Sequence, residues 1–297
     1  MTRGASAPRW HADLALVSIA LIWGATFVLV KEALASASTL VFLALRFTIA
    51  GVALAFAFRG RYGRLSARRR ELRGGILAGI CLFAGFAFQT AGLRLTTPSK
   101  SAFITGLSIV MVPLIASLVY RKVPGVSEVL GIAAATVGMG LLTLEGPTLA
   151  IASGDLLTAF CAVAFALHIL AVGHFSAGGS FEALSLTQIA TAALLAAATC
   201  GWAEPPRVVW NSSLMVALLV TGLLATALAF SVQAWAQQRT TPTRTAVIFA
   251  LEPVFAWITS YLVFGELLGA RAAAGAVLIL AGILLVELKP IARGKHP

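Results

Sequence analysis

Glu252 is an ionisable residue in a stretch from Thr245 to Phe264 that otherwise contains no charge. A carboxylate at the centre of a bilayer costs on the order of 2.5 to 3.5 kcal/mol unless it faces protein or water. Pro253 follows it, and the missing backbone N–H predicts a kink that leaves carbonyl groups available to a ligand or water. Because burial favours the neutral carboxyl group, Glu252 is a candidate for carrying a proton. The alternative is a buried carboxyl satisfied by a neighbouring Thr, Gln or Arg.

His168 and Arg46 are two further ionisable residues within apolar stretches. Imidazole titrates near neutral pH, so His168 is the second candidate for proton coupling, although a lone histidine can equally be a hydrogen-bonded packing residue. Arg46 lies about seven residues inside its predicted helix, close enough to the end to extend its head group to the surface or to pair with a carboxylate. We interpret Arg46 as structural.

Uncharged residues in other apolar stretches have the chemistry of a weakly polar binding site. Gln89 and Gln233 each carry an amide that can donate and accept hydrogen bonds, which suits a zwitterion or a polyol, although a hydrogen bond between helices explains them as well. Trp23, Thr26, Phe249 and Trp257 could form an aromatic, apolar wall, the alternative being packing against lipid or other helices. The predicted substrate-binding cavity consists of Trp23, Thr26, Gln89, His168, Gln233, Phe249 and Glu252.

These residues must be positioned by a membrane-embedded fold. Apolar residues make up 59% of the chain and charged residues 11%, against about 45 to 50% and 25% in soluble domains. The mean hydropathy is +0.94. Since a bilayer core takes about 20 helical residues, we predict ten spans. They run over residues 13–33, 39–58, 74–93, 99–120, 126–144, 154–173, 182–202, 213–235, 244–264 and 272–288.

The chain has a net charge of +11, and its basic residues are divided unequally between the two sides of the predicted membrane. Most basic residues fall on one side if the N-terminus is cytoplasmic, including the arginine-rich segment 59–73, so the positive-inside rule predicts that both termini are cytoplasmic. The segment is explained as a topology anchor, and no nucleic-acid partner is expected. The N-terminal apolar run is too long for a signal peptide and is retained as a span.

The chain matches itself at a shift of 142 to 144 residues, which indicates two five-helix repeats, 1–145 and 146–297. The matched positions include Phe86, Gln89, Thr96, Thr97, Pro98 and Ala102 with Phe230, Gln233, Thr240, Thr241, Pro242 and Ala246. Gly131 and Gly138 likewise recur as Gly275 and Gly282, and such glycines permit close helix contact within the chain or between subunits. Arg46 matches Gln188.

An odd number of spans in each repeat makes the second repeat enter the membrane from the opposite face. Inverted repeats of this kind are typical of transporters, in which the substrate site lies near the midplane between the repeats. The sequence therefore predicts an all-α integral membrane protein with transport activity. The alternative is a duplicated scaffold without flux.

Several segments resemble the drug/metabolite transporter superfamily, specifically proteins built from two EamA repeats of the amino-acid and metabolite exporter type. The resemblance covers nearly the whole chain and rests on 22–28 with Lys31, 43–47, 97–104, 251–253 and 264–267. It implies ten helices as two inverted five-helix repeats, with the first, third and fourth helices of each half lining a cavity. Lys31 and Glu266 resemble residues with a structural role near helix ends in the family, and not substrate ligands. Phe165-Ala166 stands where the first repeat has Trp23-Gly24.

Other classes of function lack their sequence signals. The chain has no HExxH, GxSxG or phosphate-loop motif, so no enzyme, metal site or cofactor is expected. The three cysteines have no paired spacing and are interpreted as packing residues.

The sequence thus favours an inner-membrane secondary transporter that exports small amphipathic metabolites, with amino acids, including aromatic ones, as the leading class. Its expected partners are a small-molecule substrate and the lipid bilayer, as a monomer or homodimer. Three alternatives stay open. They are a nucleotide-sugar or organophosphate exchanger, an intramembrane lipid-handling enzyme with His168 and Glu252 in contact, and a scaffold.

Overall fold

The described part of the chain is built from helices joined by short connections. A computed structural model describes residues 9–60, 69–119, 126–143, 152–177 and 179–287. The α-helices are α1 (Arg9–Ser36), α2 (Thr39–Phe58), α3 (Arg69–Leu95), α4 (Pro98–Thr105), α5 (Ser108–Val119), α6 (Val126–Thr143), α7 (Ser153–Ser176), α8 (Phe181–Thr199), α9 (Ser212–Leu219), α10 (Ala229–Gln237), α11 (Pro242–Phe249), α12 (Glu252–Phe264) and α13 (Ala270–Glu287). Val220–Leu228, between α9 and α10, is π-helical and is called the π segment.

Seven helical stretches of the described chain are long and apolar enough to cross a membrane. They correspond to the first four predicted spans and to the sixth, seventh and eighth. Helices α6 and α13 contain shorter apolar stretches, Val129–Leu141 and Ala270–Leu285, and the predicted ninth span is divided between α11 and α12. The all-helical membrane class is therefore supported, whereas the count of ten spans stays a prediction.

Several features of the predicted topology fall outside the described residues. They are both termini, most of the arginine-rich segment and the predicted boundary between the repeats at 145/146. The cytoplasmic placement of the termini thus stays a prediction.

Two helical stretches break at matching positions of the two halves. Helix α4 ends at Thr105 and α5 begins at Ser108; α11 ends at Phe249 and α12 begins at Glu252, 144 residues further along the chain. The kink predicted beside Pro253 is therefore present. Pro253 lies in the first turn of α12, where its missing N–H removes no helical hydrogen bond, but Pro113 lies inside α5. The break is thus shared by the halves, and the position of the proline is not.

Helices α6 and α13 contact each other through reciprocal glycines. A Cβ atom built on Gly138 would lie 2.6 Å from the carbonyl oxygen of Gly275, and one built on Gly282 would lie 2.5 Å from that of Gly131. Since Gly131 and Gly275 are equivalent in the repeat, as are Gly138 and Gly282, this is the contact expected across a pseudo-twofold axis. The close contact foreseen for these glycines is therefore internal to the chain.

Equivalent acidic residues near the starts of α1 and α7 pair with equivalent basic residues of the other half. Arg244 donates to Asp13 through two nitrogens, at 3.0 and 2.6 Å, and this pair is exposed. Asp155 is buried, lies 3.9 Å from Lys100 and accepts a hydrogen bond of 2.8 Å from Thr96. The two pairs connect the halves in the same way but in different surroundings.

Candidate functional site

One cavity lies between helices of both halves, and the first, third and fourth helical stretches of each half contribute to it. All seven residues predicted for the cavity line it: Trp23, Thr26, Gln89, His168, Gln233, Phe249 and Glu252. About 60 Å³ is open to the centre of a water-sized sphere, against the roughly 10 to 15 Å³ that one water needs. The site can therefore hold several water molecules or a small polar group.

Trp23 is held by the π segment. Its indole Nε1–H donates 2.8 Å to the carbonyl oxygen of Ala225, and its ring lies 5.2 Å from that of Phe230 and 4.8 Å from that of Phe249. A π-helical turn leaves backbone carbonyls outside the regular α-helical ladder, and such turns are frequent at functional sites. The indole is thus fixed in the cavity wall by both a hydrogen bond and ring packing.

Glu252 is the first residue of α12, where the positive end of the helix dipole favours a carboxylate. Gly24 allows α1 to approach this point, because a Cβ atom at Gly24 would lie 2.7 Å from the carbonyl oxygen of Glu252 and 2.6 Å from the Cβ of Phe255. The Glu252 side chain is half-buried and lines the cavity. No hydrogen bond or ion pair to it forms among the described residues, so the Thr, Gln or Arg partner of the alternative interpretation is not observed.

His168 has a protein partner. Its Nε2 lies 2.8 Å from Oε1 of Gln188, and its ring meets the ring of Phe230 edge-on at 5.4 Å. This contact supports the packing interpretation, and the proton-coupling role of His168 stays a prediction. Within the described chain His168 makes no hydrogen bond or ion pair with Glu252, so the pair required by the intramembrane-enzyme alternative is not formed.

The two equivalent glutamines use their amide groups differently. Gln89 Nε2 donates to Thr105 Oγ1 at 3.3 Å and so joins α3 to α4. Gln233 Nε2 donates to Gln237 Oε1 at 3.3 Å within α10, whereas its own Oε1 is buried and has no hydrogen-bond partner in the described residues. A hydrogen bond between helices therefore explains the amide nitrogen of Gln89, whereas the amide oxygen of Gln233 remains an unused acceptor among the described residues.

Arg46 differs from its predicted placement. The residue is 3% exposed, so its head group does not reach the surface of the protein. The Nε–H donates 2.7 Å to Thr226 Oγ1 of the π segment, the guanidinium lies 4.2 Å over the ring of Phe86, and the residue lines the cavity. The aromatic ring and the hydroxyl on neighbouring helices hold the head group inside the protein.

Three phenylalanines that were not predicted for the cavity also line it, in an aromatic cluster with Trp23. Phe86 and Phe230 meet edge-on at 5.9 Å, Phe165 lies 5.2 Å from Phe86, and Trp23 lies 5.2 Å from Phe230. The contact of Phe165 with Phe86 is equivalent in the repeat to that of Trp23 with Phe230. The signal that could have found them is spacing, because each phenylalanine of the central pair precedes a cavity glutamine by three residues on the same helical face.

Lys31 and Glu266 make structural contacts at the ends of helices. Lys31 Nζ donates to the carbonyl oxygens of Leu93 at 2.7 Å and of Thr96 at 2.8 Å, where a cation stabilises the C-terminal end of α3. Glu266 accepts hydrogen bonds from Thr97 and Ser260. Neither residue lines the cavity.

Comparisons with known proteins agree with this architecture. The chain matches the model of the EamA-like transporter family twice, over residues 10–144 and 152–288, which confirms the two repeats. An uncharacterized transporter of Archaeoglobus fulgidus is 34% identical over 282 residues, covering 95% of this chain and 87% of that protein. The uncharacterized transporter YyaM of Bacillus subtilis is 27% identical over 287 residues, or 91% of each protein.

The crystal structure of another protein superposes on the chain with a TM-score of 0.70. The superposition covers 95% of this chain and 98% of that one, at 21% identity. The two chains therefore share a fold.

Proposed function

The chain belongs to the EamA-like transporter family, and from that premise we propose that it is a secondary active transporter of small amphipathic metabolites. We further propose that it exports them across the inner membrane, with amino acids, including aromatic ones, as the leading class. Both termini are cytoplasmic in this proposal, and ten spans form two inverted repeats. The exporting direction follows the family resemblance.

The cavity between the two halves is the observation that supports this function. Its lining combines aromatic rings with amide, hydroxyl and carboxyl groups, which suits a ligand with a modest polar head and an apolar body. The matching breaks before Ser108 and Glu252 support a site between inverted repeats, because discontinuous helices surround the substrate in many such transporters. Rocking of one half against the other would open the cavity to each side in turn.

Glu252 is the proton-coupling residue of this proposal. It faces the cavity without a hydrogen bond or ion pair in the described chain, so its carboxyl group is available to water and substrate. His168 is the second titratable residue of the cavity and is retained as the second candidate. For a proton to move through His168, its hydrogen bond to Gln188 would have to break, or the imidazole would have to change tautomer.

Transport by purified protein tests the proposal. Thermal-shift measurements over a panel of amino acids, polyols and phosphate esters first identify binders, because a ligand of the folded state raises the apparent stability. Liposomes containing the protein should then exchange the labelled binder across the bilayer, and protein-free liposomes give the control. Binding of amino acids without any exchange would favour a scaffold, and binding of phosphate esters alone would favour the exchanger.

An organophosphate or nucleotide-sugar exchanger is the second candidate, and Arg46 is the observation that favours it. A phosphate dianion is usually held by several cations, whereas Arg46 is the one arginine or lysine among the described residues that line the cavity. We therefore rank it below amino-acid transport.

A further inference from the structure

Arg46 carries a buried positive charge that the described residues do not neutralise. Only its Nε–H donates a hydrogen bond, to Thr226, and no described carboxylate lies within ion-pair distance of the guanidinium. The two terminal nitrogens have no acceptor in the described chain, yet the residue lines the cavity. Arginine cannot shed its proton under ordinary conditions, so an anionic group supplied by a ligand would satisfy it.

The surroundings of Arg46 orient its planar head group. The ring of Phe86 lies 4.2 Å beneath the guanidinium, and the hydroxyl of Thr226 engages the Nε–H. These two contacts restrict the plane and rotation of the group while leaving its terminal nitrogens unused. Parallel N–H donors in this arrangement match the two oxygens of a carboxylate.

The opposite charge in the cavity lies on the other half of the chain. Glu252 also lines the cavity, but no ion pair joins it to Arg46 within 4.0 Å. Gln188, the residue equivalent to Arg46, is uncharged and bonds to His168. One cation and one acid thus stand apart in the same cavity, which fits a ligand with a carboxylate and a separate amino group better than a phosphate dianion.

We propose that Arg46 is the residue that selects substrates with a free carboxylate, which it binds through its terminal nitrogens while Phe86 and Thr226 hold it in place. The proposal rests on the proposed transport of amino acids and adds the group of the substrate that is recognised. Glu252 faces the amino end of the same ligand.

The test compares free amino acids with their carboxamides. Phenylalanine, leucine and threonine, each paired with its amide, are measured for binding to the full-length protein and for counterflow in liposomes. The wild type should prefer the free acids by about tenfold or more, the size expected for a charge-assisted bidentate contact. Arg46→Gln should weaken acid binding by a similar factor and amide binding much less, so that the preference is lost, and Arg46→Lys should give an intermediate preference.

Thr226→Val is the companion variant if Arg46→Gln does not fold. It removes the orienting hydroxyl and keeps the cation, so the preference for acid over amide should fall several-fold. A purely structural Arg46 would instead give lower thermal stability in these variants with an unchanged preference, which overturns the proposal.

Two outcomes separate this inference from the proposed function. If the wild type binds and transports acids and amides equally, the role of Arg46 is wrong and amino-acid transport stands. If it binds none of the amino acids but binds phenyl phosphate, both are wrong and the exchanger replaces them.

Discussion

The two halves of the chain follow the same path with different chemistry. Both have a helical break at equivalent positions, and both contribute the same glycines to the contact between α6 and α13. At the break, however, the first half places Ser108 where the second places Glu252. The backbone plan is therefore a property of the repeat, whereas the acidic group belongs to one half.

Other differences between the halves also lie at the cavity. The first half has Trp23-Gly24 where the second has Phe165-Ala166, and the π segment that holds Trp23 has a regular α-helical counterpart in α3. Arg46 likewise faces the cavity, whereas its counterpart Gln188 binds His168. The scaffold is therefore near-symmetric, whereas the groups that line the cavity differ between the halves.

The largest effect is expected from replacing Glu252, the acidic residue that stands where the first half has Ser108. Glu252→Gln removes the carboxyl group that faces the cavity and should lower proton-driven flux by about tenfold or more, a typical loss when a positioned acid–base group is removed. The remaining flux should no longer depend on pH. Substrate uptake into liposomes driven by an imposed pH gradient, repeated at several pH values, measures both.

Ser108→Ala is the matched control at the equivalent position. It should keep its pH dependence, because a hydroxyl does not titrate in this range. Normal pH-dependent flux in Glu252→Gln would remove Glu252 from the mechanism.

A second substitution tests why one half has glycine where the other has alanine. Gly24→Ala would place a methyl group 2.6 to 2.9 Å from three atoms of α12, so helix α1 must shift and the protein should lose about 1 to 3 kcal/mol of stability. Substrate binding should weaken as well, since Glu252 lies at this contact. Thermal unfolding and binding of the same sample give the two values.

Gly269→Ala serves as the control for that substitution, because no atom lies within 4 Å of a Cβ built there. It should leave stability and binding unchanged. Equal losses in the two variants would show that the close contact of α1 with α12 has no special importance.

A third pair of substitutions tests the glycine contacts between α6 and α13, which the two halves share. Gly138→Ala and Gly282→Ala each put a methyl group against a backbone carbonyl of the facing helix, at 2.6 and 2.5 Å. Each should cost about 1 to 3 kcal/mol, and the two costs should be similar because the contacts are reciprocal. Unfolding of the two single variants by heat measures them, and strongly unequal losses would contradict the pseudo-twofold contact.

The last comparison concerns the two equivalent ion pairs and includes the smallest expected effect. Asp155→Asn alters a buried group that accepts from Thr96 and should cost about 1 to 3 kcal/mol. Asp13→Asn alters an exposed pair with Arg244 and should cost about 0 to 1 kcal/mol. Thermal unfolding at low and high salt checks the difference, since only the exposed pair should be screened. A larger loss for Asp13→Asn would reverse this ranking.

Much of the site could be predicted because few residue types are tolerated in apolar helices. Polar residues such as Gln89 and Glu252 are costly in lipid, so their presence alone pointed to a protein-facing or wet surface. The shift of 142 to 144 residues then related positions on different helices without any coordinates. Phe86 was matched in the repeat but not placed in the cavity, because phenylalanine is equally stable against lipid, core or ligand.

The amino-acid sequence by itself determined the membrane-embedded class, the duplication and the helical stretches that contain the candidate site, since these depend on composition, apolar length and spacing along one chain. Tertiary structure alone decided where Arg46 points, which carbonyl the π segment gives to Trp23 and which partner His168 finds. Those outcomes depend on how each helix is rotated about its axis and which neighbour it faces. Spacing along a single helix does not specify that rotation, because it is set by packing between residues far apart in the sequence.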